Sequence, residues 1–151
     1  MTALKNIFQY ITMYIEIYEA SAAMTSYIIA TTSTYIFIIT NDYYVILIII
    51  SGAISFATRL YRIDQQEYIM DHPLVYADIG FAITACISYL YMPFTLTIYY
   101  PLAIAFSLMI IAAIMSWNIF PFKLVKESFI FQMSGHIIIS SSLLYYIIFV
   151  I

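Results

Sequence analysis

The chain has 151 residues, of which 65% are hydrophobic and only 9% are charged, and its mean hydropathy is +0.99. These values exclude an ordinary soluble domain and indicate an integral membrane protein with several spanning helices. Five scattered basic residues and a formal net charge of -3 exclude a surface that follows a phosphate backbone, so we expect no nucleic-acid partner. The single Cys86 excludes an internal disulfide.

Residue usage is strongly biased. The chain has 32 Ile against 11 Leu, together with 16 Tyr and 11 Phe. This excess of residues with A/T-rich codons indicates an AT-rich genome, such as that of a virus or an organelle.

Five apolar runs follow one another along the chain, and each approaches the roughly 20 residues that a membrane-spanning helix needs. They cover about residues 21–40, 43–61, 71–91, 101–117 and 127–151, and the few charged residues and prolines bound them. We place Pro101 in the first turn of the fourth helix, where its missing N–H costs nothing. The sequence therefore predicts an all-α, polytopic membrane bundle that forms one domain over residues 1–151.

The segment before the first run has a different pattern. Its apolar residues recur at helical spacing, at Phe8, Ile11, Ile15 and Tyr18. Polar residues occupy positions between them, at Lys5, Gln9, Glu16 and Glu19. This pattern predicts a short interfacial helix that leads into the first span.

The basic residues are all predicted to lie on one side of the membrane. With five spans, that side holds the N-terminus with Lys5, the end of span two and its following loop with Arg59 and Arg62, and the loop after span four with Lys123 and Lys126. The opposite side has only Asp42 among fixed charges. By the positive-inside rule, we expect the N-terminus on the cytoplasmic or equivalent side.

Polar side chains occur within three of the predicted spans, always near the end on the basic side. They are Ser55, Arg59, Asp71, Asp78, Gln132 and His136. Ionisable groups inside a membrane are costly and are therefore functional candidates. The two residues on each span are four or seven positions apart, so they share a helix face. We expect these six side chains to form one polar layer, with Arg59 paired to Asp71 or Asp78.

A purely structural role is the alternative for several of these residues. Arg59 can extend to the membrane interface, Asp71 can cap the third helix, and Ser55 can hydrogen-bond within its own helix. A buried histidine such as His136 is more often satisfied by a neighbouring acid than bound to a metal. The serines at 140–142 are typical of close helix packing.

Four short segments suggest a family. They are Thr-Thr-Ser-Thr-Tyr-Ile-Phe at 31–37, Gly-Ala-Ile-Ser-Phe-Ala-Thr-Arg at 52–59, Met-Asp-His-Pro-Leu-Val-Tyr at 70–76 and Gln-Met-Ser-Gly-His-Ile-Ile-Ile-Ser at 132–140. In chain order they resemble the Asn-Thr-x-Ser-Asn-x-x-Phe, Ser-x-x-x-His, Leu-Asp-Glu-Leu-Pro-Met-Ile-Tyr and His-x-x-x-His elements of the CREST superfamily. That superfamily contains membrane hydrolases such as the alkaline ceramidases, together with related receptors.

The resemblance implies a helical membrane fold and a lipid amide hydrolase in which three His hold a zinc ion, aided by a Ser and an Asp. Ser55, Asp71 and His136 match that pattern and are the candidate catalytic residues. Arg59 and Gln132 stand where two zinc-binding His are expected, and the family has seven spans instead of five. Because a guanidinium cannot ligate a cation, we expect no zinc and no other cofactor. The side chains that still offer metal ligands are His72, Asp71, Asp78 and His136.

Three functions fit these patterns. The first is a shortened, degenerate CREST relative, a pseudoenzyme that binds membrane lipid or another amphiphile. The second is a structural or accessory subunit, with other transmembrane subunits as partners, in an organellar respiratory assembly or a viral membrane. The third is an ion or proton conductor that uses Arg59, Asp78 and His136. It ranks last because no second charged layer continues a path across the bilayer.

Overall fold

The computed structural model describes residues 2–65, 72–92, 96–117 and 122–151, and these residues form five α-helices. The helices are α1 (Thr2–Thr40), α2 (Tyr44–Gln65), α3 (Pro73–Tyr89), α4 (Leu96–Trp117) and α5 (Phe122–Phe149). No strand occurs within the described ranges. The all-α helical bundle predicted from the apolar runs is therefore confirmed.

Four of the helices contain a segment that is long and apolar enough to cross a membrane. These segments are Glu16–Thr40, Tyr44–Gln65, Leu96–Met115 and Glu127–Phe149. Their length and composition support an integral membrane protein. The remaining helix, α3, is apolar and has 17 residues. At 1.5 Å per residue it is about 26 Å long, close to the roughly 30 Å of a bilayer core.

The N-terminal segment is helical but does not form a separate interfacial helix. Instead, α1 continues through it without a break for 39 residues. Neither proline nor glycine occurs between Thr2 and Thr40, so no residue interrupts the helix before the predicted span. The amphipathic face was predicted from side chains near the start of α1, such as Lys5 and Phe8. The structure does not describe these side chains.

A tight turn joins α1 to α2. Asn41 adopts a positive φ of 53°, a conformation that asparagine tolerates better than most residues. The carboxylate of Asp42 then accepts a hydrogen bond from the Tyr44 backbone N–H, at 3.0 Å, which caps the start of α2. Only three residues therefore separate the end of α1 at Thr40 from the start of α2 at Tyr44.

Pro101 lies inside α4 and not in its first turn, because α4 begins five residues earlier, at Leu96. The expectation for Pro101 was therefore wrong. The residues from Leu96 to Tyr100 contain no helix breaker and extend the helix toward its N-terminus. A proline in the second turn removes one backbone hydrogen bond, and the helix continues through it.

The helices alternate in direction. α2 packs on α1 and on α3, while α5 packs on α4 and on α1. Between α1 and α5, Tyr18 stacks on Phe129 at 5.2 Å, and Thr25 Oγ1 lies 2.9 Å from His136 Nδ1. Both contacts join residues 111 positions apart, so α1 and α5 are parallel. The end of α2 and the starts of α3 and α5 therefore lie at the same end of the bundle.

Candidate functional site

A cavity of about 350 Å³ lies between the helices, and all five helices contribute to its wall. Most of the lining is apolar, and it extends to Tyr89 and Phe106 at one end. The charged and amide side chains are at the other end, where α2 ends and where α3 and α5 begin. The cavity therefore has a polar end and an apolar end.

Five of the six residues of the predicted polar layer line this cavity. They are Ser55, Arg59, Asp78, Gln132 and His136. The alternating helix directions bring them to a similar depth. The sixth, Asp71, lies outside the described residues, so its pairing with Arg59 and its role remain predictions.

Arg59 is buried between two carboxylates from different helices. Its Nη1 atom lies 3.2 Å from Oε2 of Glu19 on α1, and its Nη2 atom lies 3.9 Å from Oδ2 of Asp78 on α3. Nη1 of Arg62 lies 3.4 Å from Oε1 of Glu19. We call Glu19, Arg59, Arg62 and Asp78 the charge cluster. Its two positive and two negative side chains connect α1, α2 and α3.

The sequence pattern missed Glu19, which we expected on the polar face of an interfacial helix. In the structure this side chain is fully buried, with 0% exposure, and faces α2. The prediction that Asp71 or Asp78 provides the partner of Arg59 was therefore incomplete, since the closest described carboxylate is that of Glu19. No signal in the sequence indicated this pairing, because Asp71 and Asp78 already provided two predicted carboxylates for the two arginines.

Neutral hydrogen bonds extend the cluster. The hydroxyl oxygens of Ser26 and Ser55 lie 3.1 Å apart, and this hydrogen bond connects α1 to α2. The Ser55 side chain is also close enough to the Asp78 carboxylate for the two groups to interact. Burying charges is favourable only when opposite charges and hydrogen bonds compensate for the lost water, and this arrangement provides both.

His136 is 3% exposed and lines the cavity wall. The Thr25 hydroxyl lies 3.0 Å from the Ala22 carbonyl oxygen, to which it donates its one hydrogen. Nδ1–H of His136 can then donate to Thr25 Oγ1, at 2.9 Å. Nε2 makes no hydrogen bond to a described residue, so it is available to a molecule in the cavity.

The described side chains do not fit a zinc site of the CREST type. No group of three or more His, Cys, Asp or Glu side chains in the described ranges is close enough to hold a metal ion. Arg59 and Gln132 line the cavity where the resemblance places two histidines. His72 caps α3, because its Nδ1 accepts from the Leu74 N–H at 3.1 Å, and it is not part of the cavity wall. The absence of zinc from the protein remains a prediction.

The polar end can form hydrogen bonds with a neutral polar group. His136 offers a ring nitrogen, and the Gln132 amide offers both donors and an acceptor. Ser51, farther along the wall, adds a hydroxyl. The apolar remainder suits a hydrocarbon chain.

Comparison of the chain with protein-family models, with curated proteins and with solved structures finds no match. The resemblance to the CREST superfamily therefore remains a hypothesis based on the four short segments.

Proposed function

We propose that this protein is a membrane protein that binds a lipid or another amphiphile between its helices. The observation that carries the proposal is the cavity, with apolar walls and polar side chains concentrated at one end. An amphiphile likewise has a polar group at one end and an apolar chain. Its polar group would lie beside Gln132 and His136, and its chain would extend toward Tyr89.

The size of the cavity favours a small ligand or one chain of a larger ligand. Its volume of about 350 Å³ is near the lower limit of ligand pockets, which range from roughly 300 to 1,000 Å³. A lipid with two long chains would not fit completely. One chain with a compact polar group would.

The charge cluster favours a neutral polar group over an ion. The carboxylate of Glu19 contacts both Arg59 and Arg62, and Asp78 contacts Arg59 from the other side. The four charges sum to zero, so an anion would gain little net attraction from the arginines. A hydroxyl, carbonyl or amide would bind to the neutral side chains without disturbing these pairs.

The proposal does not include hydrolysis. By resemblance, Ser55, Asp71 and His136 remain the candidate catalytic residues. A zinc hydrolase needs about three protein ligands and an open position for water. Arg59 and Gln132 replace two of those ligands, so we propose a binding protein and not an active lipid amide hydrolase.

The test measures lipid retained by the protein after purification in a mild detergent. Ala82 lines the cavity, whereas Ala53 on α2 is exposed and does not. We expect Ala82→Phe, which fills the cavity, to reduce retained lipid several-fold as measured by mass spectrometry. Ala53→Phe should leave it unchanged. Gln132→Leu, which removes a polar group without filling the space, should also reduce retention.

Equal retention in the wild type, Ala82→Phe and Gln132→Leu proteins would contradict the proposal, as would a wild-type protein that retains no amphiphile. Thermal unfolding of each variant shows whether a loss of lipid reflects a loss of fold. Stoichiometric copurification of other membrane chains, without lipid, would favour the accessory-subunit function instead.

A further inference from the structure

We infer that an acyl chain of a membrane lipid enters this cavity sideways from the bilayer, through an opening between α3 and α4. This inference rests on the proposed function, since it concerns the ligand of the same cavity. We call the residues at its mouth, Ile83 on α3 with Ile110 and Ile114 on α4, the lateral opening.

The three isoleucines of the lateral opening belong both to the cavity wall and to the outer surface. All three line the cavity. Their exposed fractions are 58%, 60% and 53% in chain order, although most of the cavity wall is more deeply buried. A side chain that borders the cavity and is also more than half exposed lies where the cavity meets the surroundings of the bundle.

The packing of α3 and α4 explains why an opening lies there. α3 packs against α2 and α4 packs against α5, whereas α3 and α4 approach each other closely at few positions within the described residues. They meet near the short connection between them. There the ring centroids of Tyr89 and Phe106 lie 5.4 Å apart, and the Tyr99 hydroxyl donates to the Met92 carbonyl oxygen. The two helices are therefore held together at the apolar end of the cavity.

The chemistry of the mouth indicates lipid and not water. Ile110 and Ile114 lie within the candidate span Leu96–Met115, and Ile83 lies in the middle part of α3. All three side chains are hydrocarbon. A mouth at this depth would face acyl chains and would offer no hydrogen bond to water.

The length of the apolar part matches a single lipid chain. Tyr89 follows Asp78 by 11 residues on α3, a distance of about 16 Å along a helix. The hydrocarbon core of a bilayer is roughly 30 Å thick, so this length is close to that of one leaflet. A chain in the cavity would therefore run beside the chains of one leaflet, and the second chain of a two-chain lipid would remain in the bilayer.

Cys86 provides a built-in reporter, since it is the only cysteine of the chain and lines the cavity. The test places the 151-residue chain in phosphatidylcholine vesicles and measures mercuration of Cys86 by intact-protein mass spectrometry. Apolar phenylmercuric acetate is compared with the sulfonated, membrane-impermeant p-chloromercuribenzenesulfonate, added to both faces of the membrane. We expect the apolar reagent to label Cys86 at least ten-fold faster.

A matched pair of variants tests the route. Ile110→Trp places a large side chain at the lateral opening, whereas Ile104→Trp changes an isoleucine of α4 that is 56% exposed and is not part of the cavity wall. We expect Ile110→Trp, and Ile83→Trp on the opposite side, to slow labelling by the apolar reagent several-fold. Ile104→Trp should leave the rate unchanged. The unfolding temperature of each variant serves as the folding control.

Two results would overturn the inference. One is equally fast labelling by the sulfonated reagent, which would show that the cavity opens to water. The other is an unchanged labelling rate in both Ile110→Trp and Ile83→Trp. The lipid-retention experiment distinguishes failure of the entry route from failure of the proposed function. If the protein retains lipid but Cys86 is accessible from water, only the route through the lateral opening is wrong. If the sulfonated reagent labels Cys86 slowly but the purified protein retains no lipid, the proposal that an acyl chain is the ligand is wrong.

Discussion

The guanidinium of Arg59 lies 3.2 Å from the carboxylate of Glu19, and the exposed fractions of the two side chains are 2% and 0%. The two residues are 40 positions apart in the sequence. They meet because α1 and α2 are antiparallel and joined by the turn at Asn41 and Asp42, so residues at similar distances from this turn lie side by side. Glu19 also contacts Arg62, so its one carboxylate pairs with two arginines of α2.

We expect Glu19→Gln to destabilise the protein by about 2 kcal/mol or more, because it leaves two buried guanidinium groups with less compensation. Combining it with Arg59→Gln should recover part of the loss. The resulting coupling energy in a double-mutant cycle should be about 1 kcal/mol or more. The free energy of unfolding can be measured by denaturant titration in mixed detergent micelles.

Asp64 provides the control for this cycle, since it is an exposed carboxylate on the same helix as Arg59. Asp64→Asn should change the free energy of unfolding by no more than about 0.5 kcal/mol. It should also show no coupling to Arg59→Gln. A Glu19–Arg59 cycle that is additive would mean that the two charges do not stabilise one another.

The second carboxylate beside Arg59 should couple to it more weakly. Oδ2 of Asp78 is 3.9 Å from Nη2, beyond the distance of a hydrogen bond, whereas Glu19 Oε2 at 3.2 Å is within it. We therefore expect the cycle of Asp78→Asn with Arg59→Gln to give a smaller coupling energy than the cycle with Glu19→Gln, although not zero. A larger coupling for Asp78 would show that the order of the two partners is reversed.

The helices were predictable because the hydrophobicity that indicates a spanning helix is summed over many residues. About 20 apolar positions per run outweigh local exceptions, so the all-α class and the order of the helices followed from composition and charge spacing. The boundaries were harder to predict. α1 extends through the N-terminal segment and α4 begins before Pro101, since neither polarity nor a proline in the second turn ends a helix.

The polar layer was only partly predictable. Ser55, Arg59 and Asp78 were assigned to one depth from their distances to the ends of the spans. Glu19 was not, because amphipathic spacing cannot distinguish a residue that faces water from one that faces another helix. The cavity itself depends on where α3 and α4 diverge, and no single-sequence pattern contains that information.

We expect purified protein to contain far less than one zinc ion per chain, as measured by elemental mass spectrometry. The reason is the presence of Arg59 and Gln132 at positions where the resemblance requires histidine ligands. Stoichiometric zinc that is lost in His136→Ala but kept in His72→Ala would contradict this prediction. It would mean that Asp71, outside the described residues, completes a site with His136 and Asp78.

For the membrane orientation, we propose that the N-terminus lies on the cytoplasmic or equivalent side. In a Cys86→Ser background, single cysteines at Asp64 and Lys123 should react with an impermeant maleimide from the same face, and a cysteine at Asp42 from the opposite face. The alternating helix directions and the positive-inside rule both lead to this expectation. Labelling of positions 64 and 123 from different faces would contradict the five-span topology.

Gly52 and Gly80 should respond in opposite directions to replacement by alanine. A Cβ atom at Gly52 would lie 3.0 Å from the Ala30 Cβ and backbone nitrogen atoms and 3.1 Å from the Ser26 carbonyl oxygen, whereas a Cβ at Gly80 would have no atom within 4 Å. The close neighbours of Gly52 belong to α1 and cannot move aside without separating the two helices. We therefore expect Gly52→Ala to destabilise the protein by about 1–3 kcal/mol, the usual cost of overpacking.

At Gly80 only the helix preference changes, so Gly80→Ala should stabilise the protein by about 0.5–1 kcal/mol. Thermal unfolding in detergent, followed by circular dichroism, compares the two variants under identical conditions. The separation of α1 from α2 in Gly52→Ala would also weaken the contact between Glu19 and Arg59, so this variant should reduce the coupling energy of that cycle. Equal stabilisation by both alanines would show that α1 and α2 do not approach as closely as the contacts of Gly52 require.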